Sequence, residues 1–239
     1  MGIRRFTDVL AKDFWNLVKL NLIFCACALP SIALFVLAFL GVLGGFAFVL
    51  SLIAAFPIGG AASAGMFCVT KMLRDDPGYL WHDFKRKYTE NMKQAMAPGI
   101  LSTLFLYAQI YLWRDLTHGG ADADLALIVM GALSILIFGM VAPYIFVQIA
   151  YIELATSKII KNSVLISFAN SAYSFLGALM GLAVWIVFAL FLPESLLAAP
   201  ILLVLGFSMS WLLNLLWIWP AVDKQFSIEK TLRSRRDRI

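Results

Sequence analysis

Long apolar stretches alternate with short charged segments along the whole chain. The apolar stretches predict transmembrane helices, because about 20 mostly apolar residues in helical form cross the hydrocarbon core of a bilayer. We predict six spans, at about 17–38, 41–56, 97–114, 125–152, 171–192 and 196–219. The expected fold is therefore an all-α, polytopic membrane protein with a single integral membrane domain over residues 1–239.

The second span is expected to be interrupted near its end. Pro57, Gly59 and Gly60 follow the apolar run that starts after Leu40. Proline has no backbone donor, and glycine has a low preference for helix. We therefore predict a break at 57–60, followed by a separate short helix at 61–73.

Two amphipathic segments are predicted between the spans. In residues 79–95, Leu80, Phe84, Tyr88 and Met92 recur every four residues among charged positions, which predicts one apolar helix face. The second segment, 153–168, is polar and carries two lysines. We expect both segments on the cytoplasmic side, where they offer surfaces to lipid or to a partner.

The positive charges predict the orientation. Of the 19 Lys and Arg residues, all except Arg114 fall in the four segments 4–19, 71–93, 158–161 and 224–238. Basic loops are retained on the cytoplasmic side, so all four segments and both termini are expected there.

A chain that is 62% hydrophobic is not a soluble domain. The net charge is +5, but the basic residues flank the spans and form no single basic stripe, which argues against nucleic-acid binding.

Signatures of catalysis and metal binding are missing from the sequence. The chain has no HExxH, GxSxG or P-loop motif, and its two histidines are predicted on opposite sides of the membrane. Its three cysteines form no CxxC pair. We expect no enzymatic activity, no cofactor and no metal.

Small residues suggest two further sites. At the predicted break, Pro57, Gly59, Gly60 and Ser63 could present free N–H groups to a ligand, as in transporters with discontinuous helices. Close helix packing is the favoured interpretation of the same residues. The GxxxG pair Gly177 and Gly181 offers a helix contact face, which leaves a homo-oligomer open.

Several motifs together resemble one family of bacterial membrane proteins. They are Asn21-Leu22, Leu29-Pro30, Pro57-Ile58-Gly59, Val69 to Asp75, Asp83-Phe84, Glu90 to Ala95 and Lys161 to Ser163. In this combination the chain resembles the YesL family of Gram-positive bacteria, a domain of unknown function. The resemblance implies a multi-pass protein of the cytoplasmic membrane whose genes accompany those for carbohydrate uptake.

The resemblance and the amphipathic segments favour one function, and the predicted helix break offers an alternative. The first is a non-enzymatic protein accessory to an ABC-type carbohydrate importer. It would contact the permease subunits through the amphipathic segments, and the candidate contact residues are Phe84, Tyr88, Asn91, Lys93, Lys161 and Asn162. The alternative is a self-contained transporter or channel whose ligand site is the broken helix near Pro57.

Overall fold

The computed structural model describes residues 3–76, 78–118, 125–191 and 198–230. Its described part contains helices and no strand, which confirms the all-α prediction. The helices are α1 (Ile3–Phe39), α2 (Gly44–Ile53), α3 (Phe56–Leu73), α4 (Leu80–His118), α5 (Leu125–Tyr151), α6 (Thr156–Ala169), α7 (Ser171–Phe191) and α8 (Ala198–Phe226).

Five of the helices are long and apolar enough, in their described residues, to cross a membrane: α1, α3, α4, α5 and α8. The bent pair α6 and α7 adds a sixth span if it is counted as one unit. The helix content and these lengths confirm a multi-pass protein with about six spans. The predicted outer loop at 119–124 and the basic tail beyond Lys230 lie outside the described residues.

Helix α3 lies at the centre of the bundle, between α1, α4, α5 and α8. Every residue from Gly59 to Thr70 is buried. Its small residues permit this position, because a backbone without bulky side chains lets neighbouring helices approach closely. Where α3 meets α4, a Cβ added to Gly99 would lie 2.5 Å from the Cα atom of Gly59.

The helix break precedes the predicted position. Helix α2 ends at Ile53 and α3 begins at Phe56, so the interruption falls at Ala54 and Ala55 and not at 57–60. Pro57 occupies the first turn of α3, where its missing N–H has no intrahelical partner to lose. Residues 61–73 are therefore part of the longer helix α3, which is itself long enough to cross a membrane. The predicted span 41–56 contains only the ten-residue helix α2, which is too short to cross on its own.

Two helices run without interruption from predicted cytoplasmic segments into predicted spans. Helix α4 includes both the segment 79–95, from Leu80 onward, and the span 97–114, and it passes through Pro98. Helix α1 likewise passes through Pro30. The first amphipathic segment is thus an extension of a membrane helix, which fixes its direction and its distance from the bilayer.

Residues from α1, α3, α4 and α8 and from the loop after α5 contact one another at one end of the bundle, which we name the basic end. Lys12 Nζ of α1 lies 3.3 Å from Asp75 Oδ2 just after α3. The guanidinium of Arg74 lies 5.8 Å from the ring centre of Trp219 near the end of α8. The Gln94 amide of α4 donates to the Leu154 carbonyl after α5. Residues from the first two basic segments thus share this end with the last turns of α8 and the polar loop after α5.

Candidate functional site

The short connection between α3 and α4 is held at the basic end by a mostly buried ion pair. Lys71 Nζ donates to Asp83 Oδ2 over 2.6 Å, and the two side chains are 15% and 12% exposed. Arg86 Nη2 approaches the other carboxylate oxygen at 3.3 Å. Gly78 covers the pair so closely that a Cβ there would lie 2.5 Å from both Lys71 Nζ and Asp83 Oδ2. The pair fixes the first turn of α4 against the last turn of α3.

Arg74 joins the end of α3 to α5 and α8. Its Nη2 donates to Asp76 Oδ2 over 2.6 Å. Its guanidinium lies over the ring of Tyr151, at 6.0 Å, and over that of Trp219. A planar guanidinium can stack on aromatic rings while it binds a carboxylate, which an ammonium does less well. Sequence reasoning missed this role, because Tyr151 and Trp219 are far from Arg74 along the chain.

A cavity of about 350 Å³ opens between α1, α3 and α4 at the basic end. This volume lies at the lower limit of typical small-molecule pockets. The cavity is lined by Lys12, Asp13, Asn16, Cys68, Lys71, Met72, Asp75, Asp76, Gly78, Leu80 and Asp83. Its two lysines are both paired with aspartates, and Asn16 Nδ2 donates to Asp13 Oδ1 over 2.7 Å. Among the described residues no group of three or more His, Cys, Asp or Glu is placed to hold a metal ion.

The apolar seam of α4 faces the interior of the same chain. Phe84 is only 3% exposed and belongs to the core. Tyr88 is half-buried and lies against Gly60. Asn91 is buried and donates from Nδ2 to Ser63 Oγ over 3.3 Å. These three predicted partner contacts are therefore internal contacts between α3 and α4.

The other three predicted contacts lie nearer the surface. Lys93 and Lys161 are exposed, and Asn162 is half-buried. The half of α4 opposite Phe84 forms an exposed polar face, which we name the α4 charged face: His82, Lys85, Arg86, Thr89, Glu90 and Lys93. Of this face, only Lys93 was among the predicted contacts. The other residues of the face could have been found from the sequence, since they occupy the positions between the recurring apolar residues of the segment 79–95.

The residues of the predicted broken-helix site serve packing. Gly59, Gly60 and Ser63 are buried, and Pro57 is half-buried. The space beside Gly59 is filled by the backbone carbonyl of Ala95, and the space beside Gly60 by Tyr88 and Met92. Tight packing, the favoured interpretation of these small residues, is the arrangement that the structure has.

The GxxxG pair on α7 also makes its contacts within the chain. A Cβ on Gly177 would lie 3.1 Å from the backbone oxygen of Asn214, and one on Gly181 would lie 3.3 Å from that of Ser210. Ser210 Oγ donates to the Gly181 carbonyl over 2.9 Å. The pair thus supports the packing of α7 on α8.

Comparison with protein-family models, with curated proteins and with solved structures gives no match. The resemblance of the motifs to the YesL family therefore stays a prediction. The geometry of the basic end offers two features for a function, which are the cavity and the α4 charged face.

Proposed function

We propose that the protein is a non-enzymatic membrane protein that associates with an ABC-type carbohydrate importer and binds its permease subunits through the α4 charged face. The observation that carries the proposal is this face itself, which lies on a helix continuous with a membrane span. The choice of a carbohydrate importer comes from the resemblance to the YesL family. A partner in the same membrane would meet this helix at a defined depth.

The α4 charged face is supported from behind by rigid contacts. Phe84 is buried, Asn91 bonds to Ser63, and Lys71 holds Asp83. A surface fixed before binding loses less conformational entropy when the complex forms. The basic side chains on the face favour a partner surface with acidic groups, and charge complementarity of this kind sets specificity and the rate of association.

A self-contained transporter with its ligand at the broken helix is the less favoured alternative. The free N–H groups at the start of α3 belong to its first turn, near Phe56, whereas the small residues that follow are covered by α4. A ligand at Gly59 or Gly60 would have to displace that helix. Purified protein in liposomes that moved sugar without a partner would favour this alternative over the importer.

The test is purification of the tagged full-length protein from its host in mild detergent, with mass spectrometry of the copurified proteins. We expect stoichiometric permease subunits of a carbohydrate importer. The double variant Lys85→Glu/Lys93→Glu should lose most of them, because it reverses two charges on the α4 charged face. The matched control, Lys224→Glu/Lys230→Glu, makes the same charge change at exposed positions at the end of α8 and just after it.

Two results would contradict the proposal. One is purification of the protein with no permease subunit under conditions that preserve other membrane complexes. The other is equal loss, or equal retention, of the permease in the two double variants, since either would remove the specific role of α4. Both variants should elute from gel filtration as the unaltered protein does, which separates lost binding from lost folding.

A further inference from the structure

Helix α6 is turned sharply away from the helix that follows it. The axes of α6 and α7 differ by 100° at the break near Asn170. Helix α7 is a continuous apolar helix of 21 residues, long enough to enter the bilayer. We take α7 as the part of this bent pair that crosses the membrane, which places α6, at about a right angle to it, close to the membrane plane. Because α6 begins five residues after α5 ends at Tyr151, it lies at the basic end of the bundle.

One face of α6 is anchored to the protein. Ile159, Ser163 and Ile166 are buried. Gln148 of α5 donates from Nε2 to Ser163 Oγ over 2.8 Å. Ser174 of α7 donates to the carbonyl of Ser167 over 2.9 Å. These bonds fix the rotation of α6 about its own axis, so its remaining faces point in defined directions.

An apolar stripe lies beside the anchored face and is left uncovered by the described residues. Ile160, Val164 and Phe168 are spaced by four residues, and they are 36%, 39% and 54% exposed. Side chains at this spacing lie on one side of a helix. On the following helix α7, Tyr173, Leu176 and Met180 are exposed as well. Exposed apolar side chains on a helix next to a membrane helix are well suited to contact with acyl chains.

Basic side chains lie at the edge of the apolar stripe that is away from the anchored face. At 100° per residue, Lys161 follows Phe168 around the helix by about 20° and Lys158 by about 80°, with the exposed Leu165 between them. Both lysines are exposed. Helices that lie in the membrane interface combine an apolar side with lysines at the level of the headgroups. Anionic headgroups complement these two charges.

We propose that α6 is an interfacial helix that binds anionic phospholipid, with Ile160, Val164 and Phe168 among the acyl chains and Lys158 and Lys161 at the phosphates. The proposal does not depend on the importer, because it concerns a different helix and a different kind of partner. It also reassigns Lys161 from contact with a protein to contact with lipid.

The test uses the full-length protein with photo-reactive p-benzoylphenylalanine in place of Val164, of Phe168 or, as the matched control, of Asn162. Each protein is placed in vesicles of equal parts phosphatidylcholine and phosphatidylglycerol, illuminated and analysed by mass spectrometry. We expect phospholipid adducts at 164 and 168, at least several-fold more abundant than at 162. The same three proteins are illuminated in native membranes to detect crosslinks to other proteins.

Charge dependence provides the second readout. Phosphatidylglycerol should be enriched over phosphatidylcholine among the adducts at 168. The variant Lys158→Gln/Lys161→Gln should reduce that enrichment by on the order of fivefold for each lysine, which is the factor that corresponds to about 1 kcal/mol per basic residue near an anionic surface. The control Lys85→Gln/Lys93→Gln, with the same charge change on α4, should leave the enrichment unchanged.

Several results would overturn the proposal. Equal lipid adducts at 162, 164 and 168 would mean that α6 has no fixed orientation in the interface. A crosslink from 168 to a second copy of the chain, or in native membranes to another protein, would show that a protein covers the stripe. Equal phosphatidylglycerol enrichment with and without the two lysines would remove the anionic specificity.

Discussion

The contact between Gly59 of α3 and Gly99 of α4 gives the most direct test of how α4 is held in place. A methyl group added at Gly59 would overlap the carbonyl oxygen of Ala95 and lie 3.0 Å from the Gly99 Cα atom. These are backbone atoms of another helix, so they cannot rotate away as a side chain can. Gly59→Ala therefore requires α3 and α4 to separate along their most closely packed stretch.

The expected cost follows from two opposing effects. Overpacking of a tight interior typically costs about 1–3 kcal/mol. Replacing glycine by alanine inside a helix recovers about 0.5–1 kcal/mol. Because the overlap at Gly59 is with backbone, we take the upper part of the first range and expect a net destabilisation of about 2 kcal/mol.

Gly45 provides the matched control. It lies in the first turn of α2, and a Cβ added there would meet no atom within 4 Å. Gly45→Ala should therefore be neutral or slightly stabilising. The two variants, which make the same chemical change, should differ by about 2–3 kcal/mol.

Thermal unfolding in detergent micelles, followed by gel filtration with fluorescence detection, compares the two variants. At roughly 2–4 °C per kcal/mol for a chain of this length, the melting temperatures should differ by about 4–12 °C. A Gly59→Ala protein that melts at or above the temperature of Gly45→Ala would refute the backbone contact. It would also remove the structural reason for assigning the broken-helix residues to packing.

Three further predictions concern the basic end and the orientation of the chain. Lys71→Met should destabilise the protein by about 1–3 kcal/mol in the same melting assay, because it leaves a mostly buried carboxylate without its nearest cation. The control Lys12→Met breaks an ion pair that is more than half exposed and should cost less than about 1 kcal/mol, so equal costs for the two variants would contradict the prediction. Arg74→Lys should cost about 1 kcal/mol through lost stacking on two aromatic rings, and an unchanged melting temperature would refute that role. A cysteine at Lys85 should be protected from an impermeant thiol reagent outside intact cells, whereas one at Thr117 should react, and the reverse pattern would invert the predicted orientation.

The membrane architecture could be predicted from the sequence because its signals are local. Apolar length determines which segments span the bilayer, and the positions of Lys and Arg mark the ends that share a side. The helix limits differed, and so did the second span, because α3 and not the predicted stretch 41–56 is long enough to cross a membrane. The break moved from Pro57 to Ala54 and Ala55 because proline is compatible with the first turn of a helix, so the residue that suggested the interruption lies just after it.

The orientation of α4 could not be predicted from its periodicity alone. The spacing of Phe84 and Tyr88 gives an apolar face, but the same spacing suits lipid, another protein or a helix of the same chain. The small residues of α3 decide the matter, because they make room for α4 at Gly59 and Gly60. The role of Arg74 was equally hidden, since Tyr151 and Trp219 reach it only through the tertiary fold.

The two exposed surfaces of the basic end differ in chemistry, and this difference separates the two proposals. The α4 charged face carries polar groups at every exposed position from Lys85 to Lys93, so acyl chains cannot cover it at low cost and a hydrated protein surface can. On α6 the exposed surface includes Val164 and Phe168, which water covers poorly and lipid covers well. Charge changes on α4 should therefore alter protein association without altering lipid adducts, and charge changes on α6 should do the opposite. If one set of substitutions altered both protein association and lipid adducts, the two surfaces would not be independent. A single partner that contacts α4 and α6 would then explain the data better than an importer and a lipid that bind separately.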